Sequence, residues 1–331
     1  MSMAGLALPS VDRDLEERVR RRLAEIEEEL AREVASEFGF VTEAARHLMD
    51  AGGKRFRPLL VVLGAEFGDP ESTAVVPVAV VLELTHLATL HHDDVMDEAV
   101  LRRGAPSANA RWDNSVAILT GDYLFAKASD LMVDLGLDAV RIQAQTFGRL
   151  VEGQIRETLG PAEGADGLDH YLAVLTDKTG SLIATSARLG AKLTGASAAI
   201  ESVMTDFGEK IGIAFQLSDD ILDLTSDSAQ SGKTPGTDLR EGVPTLPVLL
   251  AQRSTDPADA RLIELLSAPL TDDARHLEAL GLLRAHPAME EARVIVQQWA
   301  DDARASLDPL PDIPARKALA ALCDLVVSRT G

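Results

Sequence analysis

"LHHDDVMDEAVLRRG", residues 90–104, sets Asp93, Asp94 and Asp97 in an otherwise apolar stretch, with Arg102 and Arg103 close behind. On a helix Asp93 and Asp97 lie one turn apart on one face, and Asp94 is turned about 100° aside. Two carboxylates about 5 Å apart, at an effective dielectric of about 20, repel by about 3 kcal/mol. A surface helix gains less than that from either residue, so a divalent cation is the natural compensation. An isolated DDxxD would read first as a solvated acidic turn at a helix end. The chain, however, carries a second copy. "FQLSDDILD", residues 215–223, repeats the spacing with Asp219, Asp220 and Asp223, again among apolar neighbours.

Carboxylates with no thiolate or histidine at ligand spacing suit a hard cation. Mg2+ takes one or two protein carboxylates and completes its shell with phosphate oxygens and water. Two such clusters read as a clamp for an oligophosphate. Neither fits an EF-hand loop, which needs a glycine at its sixth position and a closing glutamate. His91 and His92 are adjacent and point in different directions, so they read as packing or hydrogen-bonding residues.

The rest of the chain limits what surrounds these clusters. Its 331 residues are 46% apolar, enough for a large core. With 53 acids against 32 bases the net charge is -21, which argues against nucleic acid or an anionic membrane as partner. No unbroken apolar run reaches bilayer length, no signal-peptide pattern opens the chain, and the single Cys323 fits a reducing compartment. A cytoplasmic protein is expected.

Apolar residues recur at three- and four-residue spacing, as at Leu15, Val19, Leu23, Ile26, Leu30 and Val34 in 11–36. The same period covers about 72–96, 114–135, 139–158, 168–194, 197–224 and 286–306. Alternating strands, hairpin turns and repeats are not evident. The expected architecture is all-α, a single large helical domain over 11–331 behind a short disordered N-terminus, 1–10.

Bases supply the remaining anion demand. "GGKRFRP", residues 52–58, places Lys54, Arg55 and Arg57 after two glycines, where a diphosphate could be cradled. Cations at a helix start cost stability unless a ligand uses them. Arg102, Arg103, Lys178, Lys233 and Arg240 lie near other breaks. His86 stands seven positions before Asp93, two turns away on the same face, so it points toward the same place. Gly180 interrupts a helical run at a cost of about 1 kcal/mol, and a kink there would bring Lys178 and Thr179 toward a ligand.

Five motifs together, "DDVMDEAVLRRGAPS", "FQLSDDILD", "GGKRFRP", "DKTGSL" and "GKTPGTDLREGVPTLP", resemble the trans-polyprenyl diphosphate synthases over about residues 50–250. The resemblance implies the type I isoprenoid synthase fold, a helical bundle around a central cavity, usually as a homodimer. It implies Mg2+, three ions with substrate bound, held by Asp93, Asp97 and Asp219 with Asp94, Asp220 and Asp223 in support. It also implies isopentenyl diphosphate on Lys54, Arg57, His86 and Arg103, and an allylic prenyl diphosphate on Arg102, Lys178, Thr179, Gln216 and Lys233. Asp93, Asp97, Arg102, Lys178 and Asp219 become the catalytic set. One departure is Val243, where many members of the family have lysine.

Product length follows from the same resemblance. The residues four and five positions before the first aspartate wall the tunnel, and here they are the small Thr89 and Ala88. An all-trans C40–C50 product for quinone side chains is expected, with a floor near Phe147 able to cap it sooner. A C15–C20 synthase is the alternative. A class I terpene cyclase is disfavoured by the scarcity of aromatics, 8 Phe, 2 Trp and 2 Tyr, and by the all-aspartate second cluster. A non-enzymatic helical metal-binding protein would bind cations without releasing diphosphate.

Overall fold

The computed structural model describes residues 12–225 and 235–329. The N-terminal segment expected to be disordered and Lys233 lie outside them. In chain order the first helices are α1 (Arg13–Glu33), α2 (Gly39–Asp50), α3 (Phe56–Ala65) and α4 (Val75–Met96). A hairpin of two short strands follows, β1 (Leu101–Arg102) and β2 (Ala105–Pro106). Then come α5 (Ala108–Arg111), α6 (Asn114–Val133), α7 (Leu137–Leu159), α8 (Gly167–Leu175), α9 (Ser181–Lys192) and α10 (Ala198–Thr225). The last are α11 (Thr237–Glu241), α12 (Leu246–Gln252), α13 (Ala260–Leu265), α14 (Asp273–Ala285), α15 (Ala288–Ser306) and α16 (Pro314–Ser328). The all-α expectation holds.

The chain divides into two compact units. The first takes the described residues up to Phe147 with Leu182–Gly208 and Pro309–Ala321. Its centre is α4, apolar on all sides, which packs on α1, α3 and α6. By length and composition α4 could cross a bilayer, a reach that counting unbroken apolar runs missed, but 72% of that window is buried inside the fold. That burial marks a core helix. α1 begins at Asp12, whose carboxylate accepts the Leu15 N–H at 2.9 Å, and turns Leu15, Val19, Ile26 and Leu30 inward. Leu23, expected in that stripe, is only half-buried. Arg22 is buried instead and donates to the Pro70 carbonyl at 2.8 Å, its stem covering apolar surface while its head finds partners.

One side chain ties four helices of this unit together. Arg55 sits at the N-cap of α3 with φ of 47°, and its guanidinium pairs with Glu27 of α1 and with Glu83 of α4 at 3.1 Å. It also donates to the Met49 carbonyl near the end of α2 at 3.3 Å. Arg55 is therefore spent on the fold. The sequence grouped it with Lys54 and Arg57 as part of an anion cradle, and that reading is corrected here.

The second unit takes Gly148–Ser181, Glu209–Asp308 and the described residues from Leu322. Ile213, Leu217 and Ile221 of α10 share its core with residues of α12 and α15, including Leu246, Val248 and Val296. The helix expected over 168–194 is interrupted: α8 passes into a π-turn, Thr176–Gly180, before α9 begins. A Cβ on Gly180 would meet only ordinary contacts of 3.5 Å, so the wider turn itself, and not a steric need for glycine, makes the break.

The hairpin was not legible in the sequence. Its strands are two residues long, too short for alternation to show, and its turn rests on the positive φ of Arg103 (54°) and Gly104 (79°). Two consecutive left-handed residues match the right-handed twist of a tight hairpin.

Candidate active site

The first acidic cluster ends α4. Asp94 is fully buried and accepts from Arg102 Nε at 2.6 Å, while Arg102 Nη2 stands 3.9 Å from Asp97. Burial pushes the Asp94 carboxyl up, against the pull of Arg102. Asp93 is half-buried and Asp97, the C-cap of α4, is exposed. The three aspartates thus divide: Asp94 anchors the hairpin arginine, and Asp93 and Asp97 remain at the surface on one face.

Behind them the bases crowd together. Arg103 donates to the carbonyls of Leu48, at 2.9 Å, and Gly52, which closes the end of α2 and the glycine turn that follows. Burial holds Arg103 below the usual guanidinium range and lowers Arg57 to about 10, with Arg103 adding to the effect on Arg57. Arg57 Nε is buried and has no hydrogen-bond partner. Burial keeps His86 well below 6.5, and the charges of Arg57, Arg103, Arg102 and Arg55 push it further down. Burial is the main cause for each group, and the Glu83 carboxylate partly offsets it for both arginines. Lys54 is exposed at the edge of this cluster in sequence.

His91 and His92 occupy different surroundings. His91 is fully buried, its pKa lowered to about 3 by burial, with neither ring nitrogen hydrogen-bonded. His92 crosses to α6, within 3.1 Å of the Ile118 carbonyl. Ala88 is buried, and its carbonyl would lie 3.0 Å from a Cβ placed on Gly121 of α6; Thr89 is half-buried, its hydroxyl donating to the His86 carbonyl at 2.8 Å. Phe147, the suggested floor, stacks on Phe125 with ring centroids 4.0 Å apart.

The second cluster lies on α10, in the other unit. Asp220 is buried, accepts from the Tyr171 hydroxyl and from Gln216 Nε2 at 3.1 Å, and is pushed up to about 7 by burial against those hydrogen bonds. Asp223 accepts the Asp238 N–H at 3.2 Å and, through its carbonyl, the Gly236 N–H at 2.8 Å. Asp219 accepts from Arg329. Lys178 and Thr179 are carried on the π-turn, where Lys178 pairs with Glu157. Beneath it Arg149 and Arg156 both bind Asp177, at 3.0 and 2.7 Å. A Cβ on Gly153 would come within 2.6 Å of the Lys178 backbone nitrogen, so only glycine lets α7 approach the turn.

Tyr171, Glu157, Arg149 and Arg329 were missed in the sequence, because each meets its partner across a separation that no local pattern spans. Arg240 forms an exposed pair with Asp273 at 2.7 Å and stays a surface residue. Val243 borders a cavity of about 250 Å3 with Pro244, Leu266 and Pro269.

The donor set fits a hard dication in chemistry. Every candidate ligand is a carboxylate, and among the described residues no group of three or more His, Cys, Asp or Glu could hold an ion by itself. Oxygens from phosphate and water would have to complete any shell, as Mg2+ prefers.

A family model described as Polyprenyl synthetase matches residues 39–283. The chain belongs to that family. It is 52% identical over 314 residues to a nonaprenyl diphosphate synthase of Mycobacterium tuberculosis, covering 95% of this chain and 94% of the relative. A geranylgeranyl pyrophosphate synthase from Corynebacterium glutamicum, crystallised with calcium and isoprenyl diphosphate, is 47% identical with a TM-score of 0.86 over 97% of this chain and 98% of that one. A polyprenyl synthase from Caulobacter crescentus, crystallised with the same ligands, is 33% identical with a TM-score of 0.89 over the same shares. The enzyme is a transferase of prenyl groups.

Removing Arg102 leaves Asp94 buried without its charge partner. Arg102→Met is expected to lower unfolding stability by about 3 kcal/mol, and adding Asp94→Asn should return most of that loss. Denaturant midpoints of the single and double variants check it; equal losses in both would show that the pair is not what holds the hairpin.

Proposed function

We propose that this enzyme condenses an allylic diphosphate, farnesyl or geranylgeranyl, with successive isopentenyl diphosphates to give an all-trans C40–C50 polyprenyl diphosphate for quinone side chains. The observation that carries the reading is the cluster of Arg57, Arg103 and the neutral His86 just behind the acidic end of α4, where the buried Arg57 Nε has no hydrogen-bond partner. A dianionic headgroup supplies the partner that the buried Arg57 Nε lacks. Lys54, Arg57, His86 and Arg103 are the proposed grip on isopentenyl diphosphate. Arg102, Lys178, Thr179, Gln216 and Lys233 are the proposed contacts to the allylic diphosphate.

Asp93, Asp97 and Asp219 are the carboxylates proposed to hold Mg2+, three ions with substrate bound, with Asp220 and Asp223 in support. Asp94 serves indirectly by fixing Arg102. Bound Mg2+ supplies Lewis-acid stabilisation of the departing diphosphate. The C1–O bond of the allylic substrate breaks with its electron pair leaving on diphosphate, and Arg102 and Lys178 hold that leaving charge. The double bond of isopentenyl diphosphate then attacks C1, and loss of a proton restores the alkene. Arg57, His86 and Arg103 orient the attacking alkene by holding its headgroup.

Identity alone does not set the length, since relatives near half identity carry both nonaprenyl and geranylgeranyl names. The small Ala88 and Thr89 favour the longer product. A homodimer is part of the proposal, in the cytoplasm. α6 supports it with Leu119 and Val133 exposed by 66% and 64% on the helix expected to make the interface. A monomeric mass in sedimentation would overturn the dimer.

Incubation with farnesyl diphosphate, isopentenyl diphosphate and Mg2+ is expected to yield C40–C50 lipid, and a product no longer than C20 would refute the length. Ala88→Phe should shorten the product while turnover continues. An unchanged length removes Ala88 from the tunnel wall.

A further inference from the structure

Arg329 lies just past the end of α16, and its guanidinium donates to Asp219 Oδ1, the leading carboxylate of the second acidic cluster. The same guanidinium sits 4.9 Å above the ring of Phe215, one turn earlier on α10. What delivers it there is Ser218. Its buried hydroxyl donates to the Val326 carbonyl at 2.9 Å, so the last turn of α16 is moored beside Asp219 and Arg329 follows within reach.

The pair differs from the adjacent Asp220 in being accessible. Asp220 is buried under Tyr171 and Gln216, whereas the Asp219 and Arg329 side chains keep 34% and 22% of their exposure. Neither side chain is sealed from solvent, so one cation can be exchanged for another there. Phe215 offers the released guanidinium a face on which to rest.

We propose that Arg329 is a built-in counter-ion for Asp219, occupying the carboxylate in the substrate-free enzyme and yielding it when Mg2+ arrives with a diphosphate. The inference rests on Asp219 being a metal ligand, as argued above. Arg329 is a positioning residue in this account. It keeps the acidic face of α10 charge-balanced until the substrate is present, and it sets the Mg2+ concentration at which the exchange takes place.

The test reads binding and not turnover. Inorganic pyrophosphate retained by the 331-residue chain is measured by equilibrium dialysis at fixed pyrophosphate and rising Mg2+. Arg329→Gln should move the Mg2+ midpoint about threefold lower, the change expected when a competing ion pair worth well under 1 kcal/mol is removed. A chain ending at Ser328 should shift the same way, and Arg329→Lys should return toward the wild-type midpoint. A midpoint that is unchanged or higher in Arg329→Gln, with pyrophosphate still bound, overturns the counter-ion. Wild-type protein that retains no pyrophosphate at any Mg2+ concentration overturns the metal reading of Asp219 along with it.

Discussion

Charges of one sign held close together cost free energy, and the arrangement of this fold follows from how that cost is met. Each charged motif has one buried member whose charge is met by partners within the fold. Arg55 is neutralised by Glu27 and Glu83, Asp94 by Arg102, and Asp220 by hydrogen bonds from Tyr171 and Gln216. These interior members hold the backbone that presents Arg57, Asp93 and Asp219. A buried charge with a partner is tolerable, and without one it is strongly destabilising, so the buried residue of each motif fixes the geometry of its neighbours.

What the sequence made legible was local. The period of α1 and α10 follows from apolar spacing, and both aspartate clusters stand out because each is contiguous. Motif order was enough to reach the family. The division of labour within each motif was not legible, because it depends on contacts between distant segments: Arg55 on Glu27 and Glu83, Tyr171 on Asp220, Arg329 on Asp219. Leu23 and Arg22 show the same limit on a single helix. Periodicity placed the leucine inside, and the chain buried the arginine because the Pro70 carbonyl and Glu71 were there to receive it.

The π-turn carries a similar lesson. A glycine in a helical run signalled a break, yet the glycine with a steric reason is Gly153 on α7, whose missing side chain admits the Lys178 backbone. The wider turn places Lys178 beside Glu157, above the Arg149–Asp177–Arg156 network. Such turns often mark functional positions, and here the turn carries two of the residues proposed to meet the allylic diphosphate.

The central claim is that Arg57, His86 and Arg103 are packed to receive a dianion, and His86 reports on it. With its pKa held below the unfolded value of about 6.5, the folded, ligand-free chain binds that proton less readily than the unfolded chain does. Stability is therefore unaffected by this group above about pH 6.5 and falls as pH drops below it. The decisive measurement is an NMR titration of the His86 ring, assigned by its loss in His86→Gln, with and without saturating isopentenyl diphosphate. The account predicts a titration well below pH 6.5 in the free enzyme that moves upward when the diphosphate is bound. A His86 titration that is the same in both states would contradict it.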